Sequence, residues 1–167
     1  MKKIVLILLI SFIAKPDYSA IGLELAKEGD VDITAVYFDQ VNSQFRVSTG
    51  VARAEAYGAS VTGQGLGFDL AFGNFNEGSF YAGVAYARAE AYGETVSDTG
   101  GYFGYAKLSG EGIDFDASIN EDASFSLQVT RWFEEGLGLS ANLSFPNEED
   151  RDFENETGVG VAIYLKW

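Results

Sequence analysis

The sequence of 167 residues contains neither cysteine nor histidine. Without cysteine the chain has no disulfide framework, thiolate metal site or cysteine nucleophile. Without histidine it has no Ser-His-Asp triad, histidine-bound zinc or imidazole base. Only 11 residues are basic and 25 are acidic, and the resulting net charge of −14 argues against a nucleic acid partner, because phosphate binding needs a basic surface. With two prolines and 47% hydrophobic residues, the chain is neither proline-rich nor a disordered acidic chain.

The first twenty residues have the pattern of a secretory leader. A short basic head, Met1–Lys3, precedes the apolar run Ile4–Ala14, which is too short to span a membrane as a helix. A polar stretch follows and ends at Ala20, after which we expect cleavage; a buried N-terminal helix is the alternative that we disfavour. Cleavage leaves residues 21–167 as one domain with 8 basic and 24 acidic residues. No later segment has the roughly eighteen consecutive apolar residues that a membrane helix needs.

From Ile21 onward, apolar residues alternate with small or polar ones, which is the period of a β-strand. Ten such runs predict an all-β, antiparallel, up-and-down barrel of ten strands. Because the first two runs are short, eight strands from residue 44 onward are the alternative, with residues 21–43 as a lead-in. The apolar sets run over Ile21–Leu25, Val31–Tyr37, Phe45–Val51, Leu66–Phe72, Phe80–Tyr86, Phe103–Tyr105, Ile113–Ile119, Phe125–Val129, Leu137–Phe145 and Val159–Trp167.

Alternation alone fits two kinds of barrel. A soluble secreted barrel turns the apolar set inward and binds an apolar ligand, whereas a membrane barrel turns it outward to lipid. The interleaved residues are mostly small, amide or aspartate side chains rather than lysine and glutamate, which favours the crowded interior of a membrane barrel. The connections favour it too, if the C-terminus is periplasmic. Short periplasmic turns are then predicted at 39–43, 73–78, 109–111 and 134–136, and longer outer loops at 57–64, 93–100 and 146–156.

The C-terminal segment GVGVAIYLKW ends on an aromatic residue, with apolar residues at alternate positions before it. It resembles the closing strand of bacterial outer-membrane β-barrel proteins, whose terminal aromatic residue is read by the barrel-assembly machinery. The whole chain resembles the small porin-like group, the opacity or OmpA-barrel class. This resemblance implies outer-membrane lipid and lipopolysaccharide as partners, a monomer, and an assembly signal at Ile163, Leu165 and Trp167, and it carries no catalytic residue.

The heptapeptide ARAEAYG occurs twice, at Ala52–Gly58 and Ala87–Gly93. Strand parity predicts that its charged and tyrosine side chains face outward at the outer membrane surface, with the tyrosines as girdle aromatics. We hypothesise that the arginines bind lipopolysaccharide phosphates in bidentate fashion. Ion pairing or an ordinary rim charge is the alternative that we favour, and a β-bulge would instead turn the pairs inward. The residues concerned are Arg53, Glu55, Tyr57, Arg88, Glu90 and Tyr92.

Several polar residues of the alternate set are predicted to lie inside the barrel. Asp114 and Asp116 would select cations there or fill the interior structurally, and we favour structural filling. Eight strands leave room only for side chains, whereas ten leave room for water or small ions. The interior candidates are Asp69, Asp114, Asp116, Gln128 and Lys166.

The predicted function is that of an integral outer-membrane barrel with a structural or surface-interaction role. A narrow pore for ions or small solutes is the alternative, and a soluble ligand-binding barrel is less favoured. Barrel enzymes resemble one another in relying on histidine, so we expect no catalytic residue and no cofactor, although Asp114 and Asp116 share a face as a formal carboxylate dyad. The loop 146–156 carries six carboxylates, but its spacing matches no calcium-binding loop, so we expect no metal site.

Overall fold

The structure is a computed structural model that describes residues 16–91, 94–146 and 157–167. In these ranges the chain forms ten strands, and the first strand pairs with both the second and the tenth, which closes an all-antiparallel barrel. The prediction of ten strands is therefore confirmed. No helix in these ranges is long and apolar enough to cross a membrane. The strands are β1 (Tyr18–Glu28), β2 (Val31–Val41), β3 (Phe45–Ala56), β4 (Ala59–Ala71), β5 (Ser79–Ala91), β6 (Glu94–Lys107), β7 (Ile113–Asn120), β8 (Phe125–Trp132), β9 (Leu137–Phe145) and β10 (Gly158–Lys166).

The barrel has two different ends. We call the end with the start of β1 and the end of β10 the base; its turns are 42–44, 72–78, 108–112 and 133–136. The opposite end is the rim, and it includes the turns 29–30, 57–58 and 121–124.

The predicted outer loops 57–64 and 93–100 are wrong, because strands occupy most of both segments. β4 begins at Ala59 and β6 at Glu94. Tyr57 and Gly58 alone join β3 to β4, and their φ angles of 50° and 79° are those of a tight hairpin turn. At the start of β4 the outward residues are polar and the inward ones small, whereas at the start of β6 both faces carry polar residues, so apolar alternation marks neither segment.

Apolar side chains face outward on most of the barrel, and small or polar side chains face inward. On β9, Leu139 is 46% exposed while its neighbour Ser140 is 7% exposed. On β10, Ile163 is 53% exposed while Tyr164 is buried. This is the opposite of a water-soluble barrel with an apolar interior.

One strand has the reverse of its predicted orientation. In β2 the set Val31, Ile33, Ala35 and Tyr37 was expected to face outward, but Ala35 is buried in the interior and Val36 is exposed. Both faces of β2 contain apolar residues, including Val36 and Phe38 on the outside, so alternation does not decide which face of the strand points outward.

The barrel begins at Tyr18, three residues before the predicted domain boundary. Ser19 and Ala20 are buried, and Ala20 lies opposite Lys166 in β10. The backbone of Ser19 also exchanges two hydrogen bonds with Trp167. The expected cleavage site after Ala20 thus falls inside β1, and cleavage itself stays a prediction.

The strands differ in length on the two sides of the barrel. We call β3–β6 the long wall, since its strands have 12 to 14 residues, and β7–β10 the short wall, with 8 or 9 residues. On the short wall, the outward side chains are apolar except at Arg131. On the rim half of the long wall they are polar or charged, and they include Arg53, Glu55, Ser60, Thr62, Gln64, Arg88, Glu90, Thr95 and Ser97.

Candidate functional site

The base of the barrel is closed by one of its own turns. Phe75, in the turn between β4 and β5, is fully buried under the lumen. Its N–H donates to the carbonyl of Ser43 at 2.8 Å, and its carbonyl accepts from the N–H of Leu108 at 2.8 Å. The turn is therefore fastened to two neighbouring base turns. Around Phe75 lies an apolar plug of Tyr18, Ala20, Val41, Tyr81, Ala106, Leu108, Trp132, Ala162 and Tyr164.

Above the plug, Arg46 links the two walls across the lumen. Its Nε lies 2.5 Å from Oδ2 of Asp69 on the neighbouring strand β4. Its Nη1 lies 2.6 Å from Oδ2 of Asp116 on β7, in the short wall. Each carboxylate also accepts a tyrosine hydroxyl, from Tyr102 to Asp69 at 2.5 Å and from Tyr81 to Asp116 at 2.6 Å. The arginine and both carboxylates are thus fully engaged with one another, as a charge group in a lumen must be to offset its desolvation.

Two glycines leave the space that the rings of Tyr102 and Tyr81 occupy. Gly83 lies between Asp69 and Tyr102 in the register, and a Cβ at that position would come within 2.4 Å of the Tyr102 ring. Gly104 lies opposite Tyr81 in the same way, at 2.7 Å from its ring. The tyrosines therefore lie flat across bare backbone and reach the aspartates beyond it.

A second cluster surrounds Asp114 near the base. Its carboxylate accepts hydrogen bonds from the Trp132 indole at 2.7 Å, from the backbone N–H groups of Ser109 and Gly110 and from the Ser109 hydroxyl, all at 2.8 Å. Lys166 donates to the carbonyl of Gly110, and its ammonium lies 5.5 Å from the Trp132 ring. This carboxylate holds the turn 108–112 against the plug.

The remaining lumen is a cavity of about 450 Å³ above the plug. Its lining reaches from Tyr18 at the base to Glu28 at the rim. In the middle, Asn142 donates to Glu24, and Gln128 donates to the hydroxyl of Tyr164 at 3.2 Å. Its other carboxylates come from Asp39, Asp114 and Asp116. The cavity is thus a polar, mainly acidic cup.

The structure brings the five predicted interior residues inside the barrel but not into one site. Asp69 and Asp116 belong to the Arg46 network, whereas Asp114 and Lys166 belong to the base cluster. Gln128 lines the cavity. The two aspartates proposed as a dyad thus have separate partners, Asp114 in the turn 108–112 and Asp116 at Arg46.

The repeat residues lie on the rim half of the long wall, facing outward. Nη2 of Arg53 lies 2.6 Å from Oε1 of Glu55, and Nη2 of Arg88 lies 2.9 Å from Oε1 of Glu90. Each pair is exposed. Tyr57 lies in the turn beyond the end of β3 and donates to Asp30 at 2.6 Å, so it lies outside the apolar belt that a girdle occupies. Tyr92 and most of the acidic loop 146–156 lie outside the described residues.

The two copies of the repeat are staggered in the sheet. Arg53 of β3 lies opposite Thr62 of β4, which lies opposite Glu90 of β5. Arg88, the counterpart of Arg53, instead aligns through Gln64 with Val51. The copies are therefore offset by two residues across two strands.

Most outward aromatic rings lie on the base half of the barrel, and the pair Phe125 and Phe145 lies at the rim end of the short wall. Phe80 contacts Phe103 and Tyr105, at 5.9 Å and 5.0 Å between ring centroids, and Tyr105 stacks on Phe115 at 5.6 Å. Trp167 lies 6.1 Å from Phe38. Of the predicted assembly signal, Ile163 and Leu165 face outward on β10 opposite Leu23 and Ile21. The role of these residues in assembly stays a prediction.

Sequence reasoning missed two residues that organise the interior. Arg46 stands in the alternate set of β3, and an inward-facing arginine in an acidic chain predicts buried carboxylate partners. Its partners lie 23 and 70 positions away, so only the strand register identifies them. Phe75 belongs to a turn rather than a strand, and no alternation marks it. In the described part of the chain, no group of three or more acidic side chains is arranged to hold a metal ion.

Comparison with known proteins finds similarity in fold only. No protein-family model matches the chain, and no curated protein does. The N-terminal β-barrel domain of Pseudomonas aeruginosa OprF is 9% identical with a TM-score of 0.49, over 91% of this chain and 98% of that one. KdgM porin is 10% identical with a TM-score of 0.48, over 87% and 98%, and Neisserial surface protein A is 12% identical with a TM-score of 0.35, over 89% and 93%. The closed ten-stranded sheet itself establishes the fold of this chain as the β-barrel that the sequence predicts.

Proposed function

We propose that the protein is an integral outer-membrane barrel with a structural or surface-interaction role, closed to solutes at its base. The outward apolar surface and the inward polar surface support membrane insertion, because lipid replaces water only outside the wall. A short-wall strand of 8 or 9 residues spans roughly 20–23 Å at a tilt of about 40°, close to an apolar band of ~25 Å.

The base faces the periplasm and the rim faces the exterior in this proposal. Both ends of the described barrel, at Tyr18 and Lys166, lie at the base. The long wall continues past the apolar band at the rim, by four to six residues or roughly 10–15 Å, with polar side chains on its outer surface. That extension gives the surface-interaction role a physical location above the lipid.

The buried Phe75 plug is the observation that supports a barrel closed to solutes at its base. The ring fills the lumen at the base, and its turn is hydrogen-bonded on both sides. We expect purified protein in planar bilayers to give no stepwise conductance. A Phe75→Ala/Leu108→Ala variant removes two plug side chains and should allow ion steps, provided that its heat-modifiable mobility shows a folded barrel. Regular steps from the unaltered protein would contradict the closed base.

A narrow cation pore is the second candidate, and the acidic cavity of about 450 Å³ is the observation that favours it. If the unaltered protein conducts, this candidate predicts cation selectivity that falls in Asp39→Asn. The matched control is Asp98→Asn, a change of the same charge in β6 outside the cavity lining. Equal selectivity in the two variants would dispose of the cavity as the selective element.

The rim arginines remain proposed contacts for lipopolysaccharide phosphates. Each is exposed and holds one glutamate, so its guanidinium keeps further N–H donors for a phosphate oxygen. Arg53→Gln/Arg88→Gln should elute earlier from immobilised lipopolysaccharide than the unaltered protein. Glu55→Gln/Glu90→Gln, which frees both arginines, should elute later. Unchanged elution in both variants would leave the pairs as ion pairs alone.

A further inference from the structure

The outward-facing cationic side chains are paired with carboxylates at the rim end of the barrel but not at the base end. Towards the rim, Lys27, Arg53 and Arg88 each have a carboxylate within 3.2 Å. Towards the base, Lys107 and Arg131 have no carboxylate at salt-bridge distance among the described residues. The base thus presents unneutralised positive charge on its membrane-facing wall, although the protein as a whole is strongly acidic.

Arg131 lies in apolar surroundings. It is on the outward face of β8, between the buried residues Thr130 and Trp132. Its register partners are Ile113 on β7 and Leu139 on β9, both about half exposed. It is one residue from the base end of its strand, so its long side chain reaches the membrane interface rather than the midplane.

Lys107 lies two strands away at the same end. It is the last residue of β6, follows the buried residue Ala106, and lies opposite Phe115. Tyr105, two residues earlier on the same face, stacks on that ring. Aromatic side chains of this kind mark the level of lipid headgroups in membrane barrels. Both cations therefore flank β7 at the headgroup level.

The energetics of the interface identify the partner. A lipid-facing Arg or Lys is strongly destabilising at the bilayer midplane and nearly neutral near the interface. Phosphate supplies the missing negative charge at that level, and a guanidinium binds it through two parallel hydrogen bonds. We infer that Arg131 and Lys107 bind the phosphate groups of phospholipids in the leaflet that surrounds the base. This inference rests on the proposed membrane insertion.

The test compares two lipids that differ in phosphate. Protein in maltoside detergent is titrated with phosphatidylglycerol or with diacylglycerol of the same acyl chains, and lipid adducts are counted by native mass spectrometry. The unaltered protein should retain phosphatidylglycerol in preference to diacylglycerol. Arg131→Gln/Lys107→Gln should lose that preference, with roughly tenfold weaker binding, or about 1.4 kcal/mol, for two interfacial contacts. The control Lys27→Gln/Asp32→Asn removes an outward ion pair at the rim and should behave as the unaltered protein.

The outcomes separate this inference from the proposed function. Unchanged preference in Arg131→Gln/Lys107→Gln, or an equal loss in the rim control, overturns the phosphate contacts while insertion stands. If the double variant instead unfolds in maltoside without added lipid, the two residues are structural and the inference is also overturned. Insertion is measured by heat-modifiable mobility in phosphatidylglycerol vesicles, and failure of the unaltered protein there overturns the proposed function itself.

Discussion

The outward face of β9 runs from Leu137 to Phe145 without a polar side chain, whereas that of β4 changes from Leu66 to Gln64, Thr62 and Ser60. The inward faces change as well, since β4 carries Gly63 and Gly65 towards the rim but Asp69 near the base. The short wall therefore matches the thickness of an apolar band, and the long wall exceeds it. Two neighbouring parts of one sheet thus follow different rules of patterning, which is the difference expected under the proposed insertion if only the short wall lies wholly in lipid.

Arg46 offers the severest test of how the two walls depend on each other. Its replacement by methionine leaves Asp69 and Asp116 buried without a cation, which should cost about 3–5 kcal/mol of unfolding free energy. Urea unfolding in detergent measures this loss. The variant Arg46→Met/Asp69→Asn/Asp116→Asn removes all three charges and should recover most of it. Equal stability of the single variant and the unaltered protein would show that the walls are held by the strand pairing alone.

A charge placed on each wall in turn tests where the lipid ends. Ala141→Arg, at the middle of β9, should destabilise the protein in phospholipid vesicles by about 2–4 kcal/mol. Thr62→Arg, on the rim half of the long wall between Arg53 and Glu90, should change stability by less than about 0.5 kcal/mol. Equilibrium unfolding in the vesicles compares them. A large penalty for Thr62→Arg would place the extension in hydrocarbon and remove the distinction between the walls.

Substitutions in the rim turns of the two walls should give the smallest change in unfolding free energy. Gly58 ends the β3–β4 hairpin with a φ of 79°, and Ala123 holds a φ of 60° in the turn between β7 and β8. A side chain is disfavoured at such angles, so Gly58→Ala should lose about 1 kcal/mol and Ala123→Gly should gain about 0.5–1 kcal/mol. Thermal unfolding in detergent should move the two midpoints in opposite directions. Shifts of the same sign would mean that turn geometry does not govern either rim turn.

Sequence pattern predicts the fold best on the short wall. The short wall follows its predicted alternation, since every outward position except Arg131 is apolar. The predicted orientation of β2 was wrong because Val36 and Tyr37, on opposite faces of the strand, both have large side chains with apolar surface. The rim half of the long wall was predicted to form loops because its outward side chains are polar or charged, so no apolar alternation marks the strands there. The Arg46 network could not be predicted without the strand register, because Asp116 reaches Arg46 only across the closed lumen.

The offset between the two copies of ARAEAYG gives the slope of the strands. If equal residues of the two copies lie at equal heights along the barrel axis, each strand must climb relative to the hydrogen-bonded rows. Two residues of climb, roughly 6.6 Å, over two strand spacings, roughly 9.6 Å, correspond to an inclination of about 35°. That value agrees with the tilt common to closed barrels. Copying a hairpin of 35 residues in this way adds two strands and two residues of shear, so the barrel can widen at an unchanged strand tilt.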